Sequence, residues 1–279
     1  MPTIPDRRRR FRELHQHGCF VLPNPWDVGT TRYLQQLGFE AVATTSAGAA
    51  FSAGLPDTAV TRDAMLGHIR AVVAATDLPV NADFEAGYAD APDEVADNVR
   101  LCVEAGVAGL SIEDASGHKA GALYDVAVAV RRIAAARKAI DATRADVVLT
   151  GRAECFLFGE TDVQVAIRRL RAYAAAGADC LYAPGIQTRE QIAAVVEAVA
   201  PKPVNVLMAA ATDLTVADLA ALGVRRISVG SALARVAWGA FMRAARQIAE
   251  GGRFDLLGDA VPYAEIDRFF RDDLRRRGG

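Results

Sequence analysis

Two stretches of this chain hand acidic side chains out of apolar runs. Asn81-Ala82-Asp83-Phe84-Glu85-Ala86-Gly87-Tyr88 follows Leu78-Pro79-Val80, and Ala108-Gly109-Leu110-Ser111-Ile112 leads straight into Glu113-Asp114. If both runs are parallel strands, their C-terminal ends place Asp83, Glu85 and Glu113 at one mouth of a sheet or barrel. Carboxylates that close repel one another, and a bound cation relieves the repulsion. Oxygen donors with no His or Cys among them favour Mg²⁺, with Mn²⁺ possible, over zinc. The competing reading is that these acids cap the helices that follow, where Asp and Glu are favoured in the first turn.

Further candidates follow the same strand-end logic. Thr44-Thr45-Ser46-Ala47-Gly48 is a small polar turn whose backbone N–H groups suit a carboxylate or phosphoryl group, or equally a plain helix-capping turn. The next loop carries Gly54-Leu55-Pro56-Asp57. A fifth strand ends in Gly151-Arg152-Ala153-Glu154, where Arg152 suits a bidentate clamp on a substrate carboxylate. Asn205 and Gly230-Ser231 end two later runs, and Asn205 joins the substrate-binding candidates.

The elements that must carry these residues alternate regularly. Short β-branched runs fall at 19–23, 41–45, 80–84, 109–113, 147–152, 180–184, 204–208 and 226–230. Between them lie alanine-rich amphipathic segments, among them 93–105, 125–142, 162–176, 188–200 and 216–222. Several end in glycine, at Gly38, Gly106, Gly177 and Gly223, which suits the left-handed residue after a helix. Eight strands alternating with helices predict a parallel (β/α)8 barrel of the TIM type, with its site at the C-terminal mouth. An open doubly wound sheet is the alternative, but no GxGxxG follows an early strand. One barrel domain over 1–279 is expected, with 255–279 a C-terminal helical tail.

The pattern Thr-Ser-Ala-Gly, Gly-Leu-Pro-Asp, Asp-x-Glu-x-Gly-Tyr, Ile-Glu-Asp and an Arg closing the fifth strand resembles the isocitrate lyase/phosphoenolpyruvate mutase superfamily, in order and spacing over nearly the whole chain. The resemblance implies that Asp83 is the direct Mg²⁺ ligand and that Asp57, Glu85 and Glu113 reach the ion mainly through water. It implies that Ser46, Ala47 and Gly48 hold a carboxylate or phosphoryl end, with Arg152 opposite. Members make or break C–C or P–C bonds of small 2-oxo acids through a Mg²⁺-stabilised pyruvate enolate. Their barrels exchange the eighth helix and assemble as dimers of dimers, a role that the segment 263–277 suits here.

The departures are specific. Glu85 stands where the family commonly has a second Asp, and Thr44 where Tyr or Trp is frequent. Lyases carry a Lys-Lys/Arg-Cys-Gly-His motif after the fourth strand, whose cysteine is the acid/base. This chain reads Asp114-Ala115-Ser116-Gly117-His118-Lys119-Ala120-Gly121, shorter and without cysteine. The surviving expectation is a Mg²⁺-dependent lyase that cleaves a C–C bond of a small 2-oxo or 2-hydroxy di-acid. His118, Tyr88 or water would supply the proton, and Arg152 would act beside them. The alternatives are a phosphonopyruvate/phosphoenolpyruvate-type P–C enzyme and an oxoacid-binding protein with reduced catalysis.

Composition limits the other classes. A net charge of -2 over 279 residues gives no electrostatic reason to expect nucleic acid. No run approaches the roughly 18 apolar residues of a membrane span and nothing resembles a signal peptide, so no membrane is expected and the cytoplasm is; the homotetramer is what the family resemblance implies. The four cysteines, at 19, 102, 155 and 180, have no CxxC pair and read as structural thiols. A Schiff-base aldolase would need a lysine at the mouth, and of Lys119, Lys138 and Lys202 only Lys119 is placed near it. A phosphate-binding isomerase would use Gly230-Ser231 but leave the acids unexplained.

Overall fold

The arginine-rich N-terminus is a helix, α1 (Ile4–Leu14), opened by a Thr3–Asp6 capping box. It precedes β1 (Phe20–Leu22), α2 (Val28–Gln36), β2 (Val42–Ala43), α3 (Ser46–Ser52), α4 (Arg62–Ala75) and β3 (Val80–Asp83). Then come α5 (Pro92–Glu104), β4 (Gly109–Glu113), α6 (Val126–Ala142), β5 (Val148–Arg152), α7 (Val163–Ala175) and β6 (Cys180–Tyr182). The alternation ends with α8 (Arg189–Val199), β7 (Val204–Leu207), α9 (Val216–Ala221) and β8 (Arg226–Ser228). This computed structural model describes residues 2–116 and 123–278. His118 and Lys119, the loop candidates for acid and for aldolase lysine, lie outside the described residues.

All eight strands pair in parallel, in the order β1-β8-β7-β6-β5-β4-β3-β2. A backbone bond from Ala43 N–H to Pro23 C=O, 3.0 Å, spans the remaining seam between β2 and β1. The expected (β/α)8 barrel is therefore the observed architecture, and every expected strand run contains an observed strand. Gly38, Gly106, Gly177 and Gly223 do take positive φ. At Gly177 (φ +105°) a Cβ would also stand 2.6 Å from the Arg137 side chain.

The strands obey a period of two, but with apolar residues turned outward. Ala82, Leu110, Ile112, Leu149, Leu181, Val206 and Ile227 belong to the main core shared with the helices. The inward set, Asn81, Asp83, Ser111, Arg152, Asn205, Arg226 and Ser228, is polar and lines the central cavity. A separate apolar cluster plugs the barrel, where Phe11 and Leu14 of α1 pack with Phe20, Leu22, Ala41, Val148 and Cys180. A Cβ on Gly109 would lie 2.5 Å from the Phe11 ring, so glycine makes room for this plug.

Two compact units divide the chain, Met1–Ala232 and Leu233–Gly279. The second takes in α10 (Ala232–Gly251) from Leu233 on, a 3-10 turn (Asp255–Asp259) and α11 (Tyr263–Gly278). Within it Trp238 and Phe241 meet edge to face at 5.6 Å, and Val236, Phe241, Tyr263 and Leu274 are exposed. Among the described residues no helix is long and apolar enough to cross a membrane. All four cysteines are free, and all but Cys19 are buried.

Candidate active site

Ladder register decides which side chains meet at the mouth. Asp83 pairs with Ser111, Glu113 with Arg152, and Arg152 with Tyr182, placing an acid, a guanidinium and a phenol side by side. Arg152 Nη1 lies 3.2 Å from both Asp83 Oδ1 and Glu113 Oε2, its Nε donates to Glu154, and its guanidinium lies over the Tyr182 ring at 5.1 Å. The second oxygen of Asp83 accepts from the Ser46 backbone N–H at 2.9 Å and the Ser46 hydroxyl at 2.8 Å. Thr44, buried below, accepts from the Asp83 N–H. Thr45 caps α3 by accepting from the Gly48 N–H. Two of the three backbone donors of the 46–48 turn thus already have partners, and only the partner of Ser46 N–H is the candidate metal ligand.

The loop after β3 is held in an uncommon backbone. Glu85 (φ +47°) and Tyr88 (φ +57°) are both left-handed, a conformation that costs a non-glycine residue free energy and persists only when its surroundings enforce it. Buried Arg132 enforces it from α6 by donating to the carbonyls of Ala86, Ala89 and Asp90 while stacking on Tyr124 at 4.1 Å. Asn98 adds a bond to the Gly87 carbonyl at 2.8 Å, and the Glu113 N–H donates to the Glu85 carbonyl at 3.0 Å. The result turns Glu85 to accept from the Tyr88 hydroxyl at 2.9 Å.

Negative charge is in surplus here. Burial pushes Glu85 up to about 7, with Asp83 and Asp57 adding to the rise against the Tyr88 hydrogen bond. Burial drives Glu113 well above the usual carboxylate range, Arg152 opposing and Glu154, Asp83 and Glu85 reinforcing. Glu154 rises for the same reason, loss of water, despite its bond to Arg152. At the rim, Asp57 rises through loss of surrounding water and then the charge of Asp83. Burial also lifts the Tyr88 phenol far above its ordinary value, with Glu85 next, so it stays protonated. For Arg152, burial is the largest single influence and would lower its pKa, but Glu154, Glu113, Tyr182 and Asp83 together hold it well above its ordinary value. Among the described residues no three of His, Cys, Asp and Glu stand together in ready metal-ligating geometry.

The cavity at the mouth, about 220 Å³, is lined by Ser46, Ala47, Asp57, Asp83, Arg152 and Asn205 among others. Asn205 is not at the rim. It lies within β7, buried, with Oδ1 accepting from Arg226 Nε and Nδ2 donating to the Ser228 hydroxyl, both at 2.9 Å. In the phosphate-loop alternative one donor is already taken, because Asn24 Oδ1 accepts from the Gly230 N–H as well as from that of Val229. Lys202 Nζ donates to the Ala178 carbonyl, away from the mouth. Residues absent from the candidates above but built into the site are Tyr182, Glu154 and the interior polar set Asn24, Asn81, Thr150 and Arg226. For Asn81, Thr150 and Arg226 the signal was a polar residue within a strand run, whereas Asn24 and Glu154 lie just outside the strands. Asp114 supports the site from behind, accepting from the Glu154 N–H, Arg169 and Tyr173.

Residues 11–249 match a family model described as phosphoenolpyruvate phosphomutase. The chain is 31% identical over 237 residues to an oxaloacetate decarboxylase of Paraburkholderia xenovorans, covering 81% of this chain and 76% of that one. Among solved structures, a candidate lyase/mutase from Burkholderia cenocepacia J2315 superposes with a TM-score of 0.92 at 51% identity, covering 96% of this chain and 97% of that one. Oxaloacetate acetylhydrolase in complex with the product oxalate superposes with a TM-score of 0.86 at 25% identity, covering 100% and 97%.

Proposed function

The chain belongs to the phosphoenolpyruvate phosphomutase family, and on that premise we propose that it is a Mg²⁺-dependent lyase cleaving a C–C bond of a small 2-oxo or 2-hydroxy di-acid. The observation that carries this reading is Arg152 Nη1 bridging Asp83 and Glu113 at 3.2 Å each, amid acids whose pKa values are raised by burial and mutual repulsion. A guanidinium there relieves only part of the surplus, and the donors are all hard oxygens, which fits Mg²⁺.

Asp83 is the direct ligand in this reading, with Asp57, Glu85 and Glu113 around it. When bound, the ion would act as a Lewis acid on the 2-oxo oxygen and stabilise the pyruvate enolate left by cleavage. The protein's own groups do the rest. Ser46 fixes the orientation of Asp83 through two bonds, and the 46–48 turn receives a substrate carboxylate as Ser46 exchanges partners. Arg152, poised on three acids, swings its fork to that carboxylate. Tyr88, protonated and hydrogen-bonded to Glu85, is the proton donor for the enolate carbon in this reading, with His118, which lies outside the described residues, as the other candidate. The exposed apolar residues of 232–278 support assembly with further copies of the chain, as the dimer of dimers expected above.

The test is pyruvate release across 2-oxo and 2-hydroxy di-acids, with Mg²⁺ and with EDTA. Mg²⁺-dependent turnover of an oxaloacetate-like acid is expected, with negligible cleavage of isocitrate or methylisocitrate because the loop from Asp114 lacks cysteine. Methylisocitrate turnover in the common enzyme range of ~1–10³ s⁻¹ would overturn this assignment. Release from phosphonopyruvate instead would place the chain on the P–C side of its family, and Mg²⁺-dependent binding without turnover would make it a binding protein.

A further inference from the structure

A second guanidinium lies below the first, and among the described residues no carboxylate pairs with it. Arg226 is 2% exposed and is bonded by Nε to Asn205 Oδ1 at 2.9 Å, by Nη2 to Thr150 Oγ1 at 3.0 Å, and by Nη1 to His15 Nε2 at 3.3 Å. All three partners are uncharged, since burial and then Arg226 itself press His15 down to about 3. Arg152, by contrast, has three carboxylates. The ladder row Glu113–Arg152–Tyr182–Asn205–Arg226 crosses five neighbouring strands, and strand tilt carries it down into the barrel. Arg226 meets Thr150, two residues before Arg152 on β5, so it stands one side-chain layer lower, about 6–7 Å along the strand.

Burying an unbalanced cation costs several kcal/mol, and a cross-link among strands does not require one. Three neutral acceptors leave two of its five N–H donors without a protein partner among the described residues. The same cavity reaches both arginines. Asn81 Oδ1, also buried and lining that cavity, has no partner and can accept from a ligand hydroxyl.

We propose that Arg226 is a specificity-determining residue that binds the second carboxylate of a small di-acid at the cavity floor, one layer beneath Asp83 and Arg152. A chain of about four carbons covers the gap between layers. This rests on the reading of the mouth as an oxo- or hydroxy-acid site. The charge would make the cavity prefer a di-acid over the mono-acid that shares its other end.

Calorimetric titration of malate and of lactate, with Mg²⁺ and with EDTA, tests it, since the two hydroxy-acids differ in the second carboxylate. The wild-type protein should favour malate by about ten-fold or more, the size of a charge-assisted hydrogen bond. Arg226→Gln should bring that ratio near one while leaving lactate affinity in place. Arg226→Lys, which keeps the charge if the Gln variant does not fold, should give an intermediate ratio. An unchanged ratio in a folded variant, an equal loss for both acids, or no preference in the wild type overturns the proposal. Loss of the ratio without any Mg²⁺ dependence would sustain Arg226 and remove the metal reading. Mg²⁺ dependence with the ratio intact would do the reverse, and binding of neither acid would remove both.

Discussion

The two ends of the barrel use arginine in opposite ways. At the N-terminal end, Arg7 donates to the carbonyls of Val73 and Thr76, and Arg8 to those of Val103 and Val107, groups at or near the ends of α4 and α5. Arg12 pairs with Asp146 and Asp179. Each cation there meets carbonyls that helix termini leave unsatisfied, or a carboxylate of its own, and the end is sealed by Phe11. At the C-terminal end Arg152 faces more acids than it can neutralise, beside a loop held in a left-handed backbone. Balance marks the end that holds the fold together, and imbalance marks the end that awaits a ligand.

Disturbing one end at a time should separate stability from binding. The largest effect expected is on the sealed end. Phe11→Ala removes a fully buried ring and should cost about 3–5 kcal/mol by denaturant unfolding, with ligand affinity of the surviving folded protein unchanged. Equal damage to binding would show that the ends are coupled. At the open end, Arg152→Lys keeps the charge but loses the fork, and should weaken carboxylate binding by ~1–3 kcal/mol in a calorimetric titration. Unaltered affinity would make Arg152 an ion-pair partner of the acids and nothing more.

The smallest effect concerns His15, between the two ends. Its folded pKa of about 3 lies below the ordinary 6.5, so as pH falls the unfolded chain takes up the proton first. Stability is therefore lost as pH drops through 6.5 towards 3. His15→Gln, which still offers Arg226 an acceptor, should show a smaller fall in Tm between pH 7 and pH 5 than the wild type. An identical fall would mean that other groups govern acid sensitivity.

The same contrast explains what could be read from the sequence. The strands were legible because β-branched runs recur between alanine-rich helices, and Asp83, Glu113 and Arg152 were legible because they end those runs. The plug helix α1 was not, since Arg7-Arg8-Arg9-Arg10 looks like solvated charge until the carbonyls it meets are known. Asn205 read as a substrate-binding candidate and Arg226 as a strand residue, and only the folded barrel brings Arg226 to Asn205, Thr150 and His15. The left-handed Glu85 and Tyr88 depend on Arg132, more than forty positions away in the chain, and local propensity carries no trace of that.

The central claim is that the acids of the open end bind a divalent cation on which an oxo-acid then depends. Calorimetric titration of oxalate into the wild-type protein and into Asp83→Ala, each with Mg²⁺ and with EDTA, addresses it most directly. The account predicts binding only for the wild type with Mg²⁺, with the variant still folded by circular dichroism. Equal oxalate affinity in EDTA, or in Asp83→Ala, would contradict it.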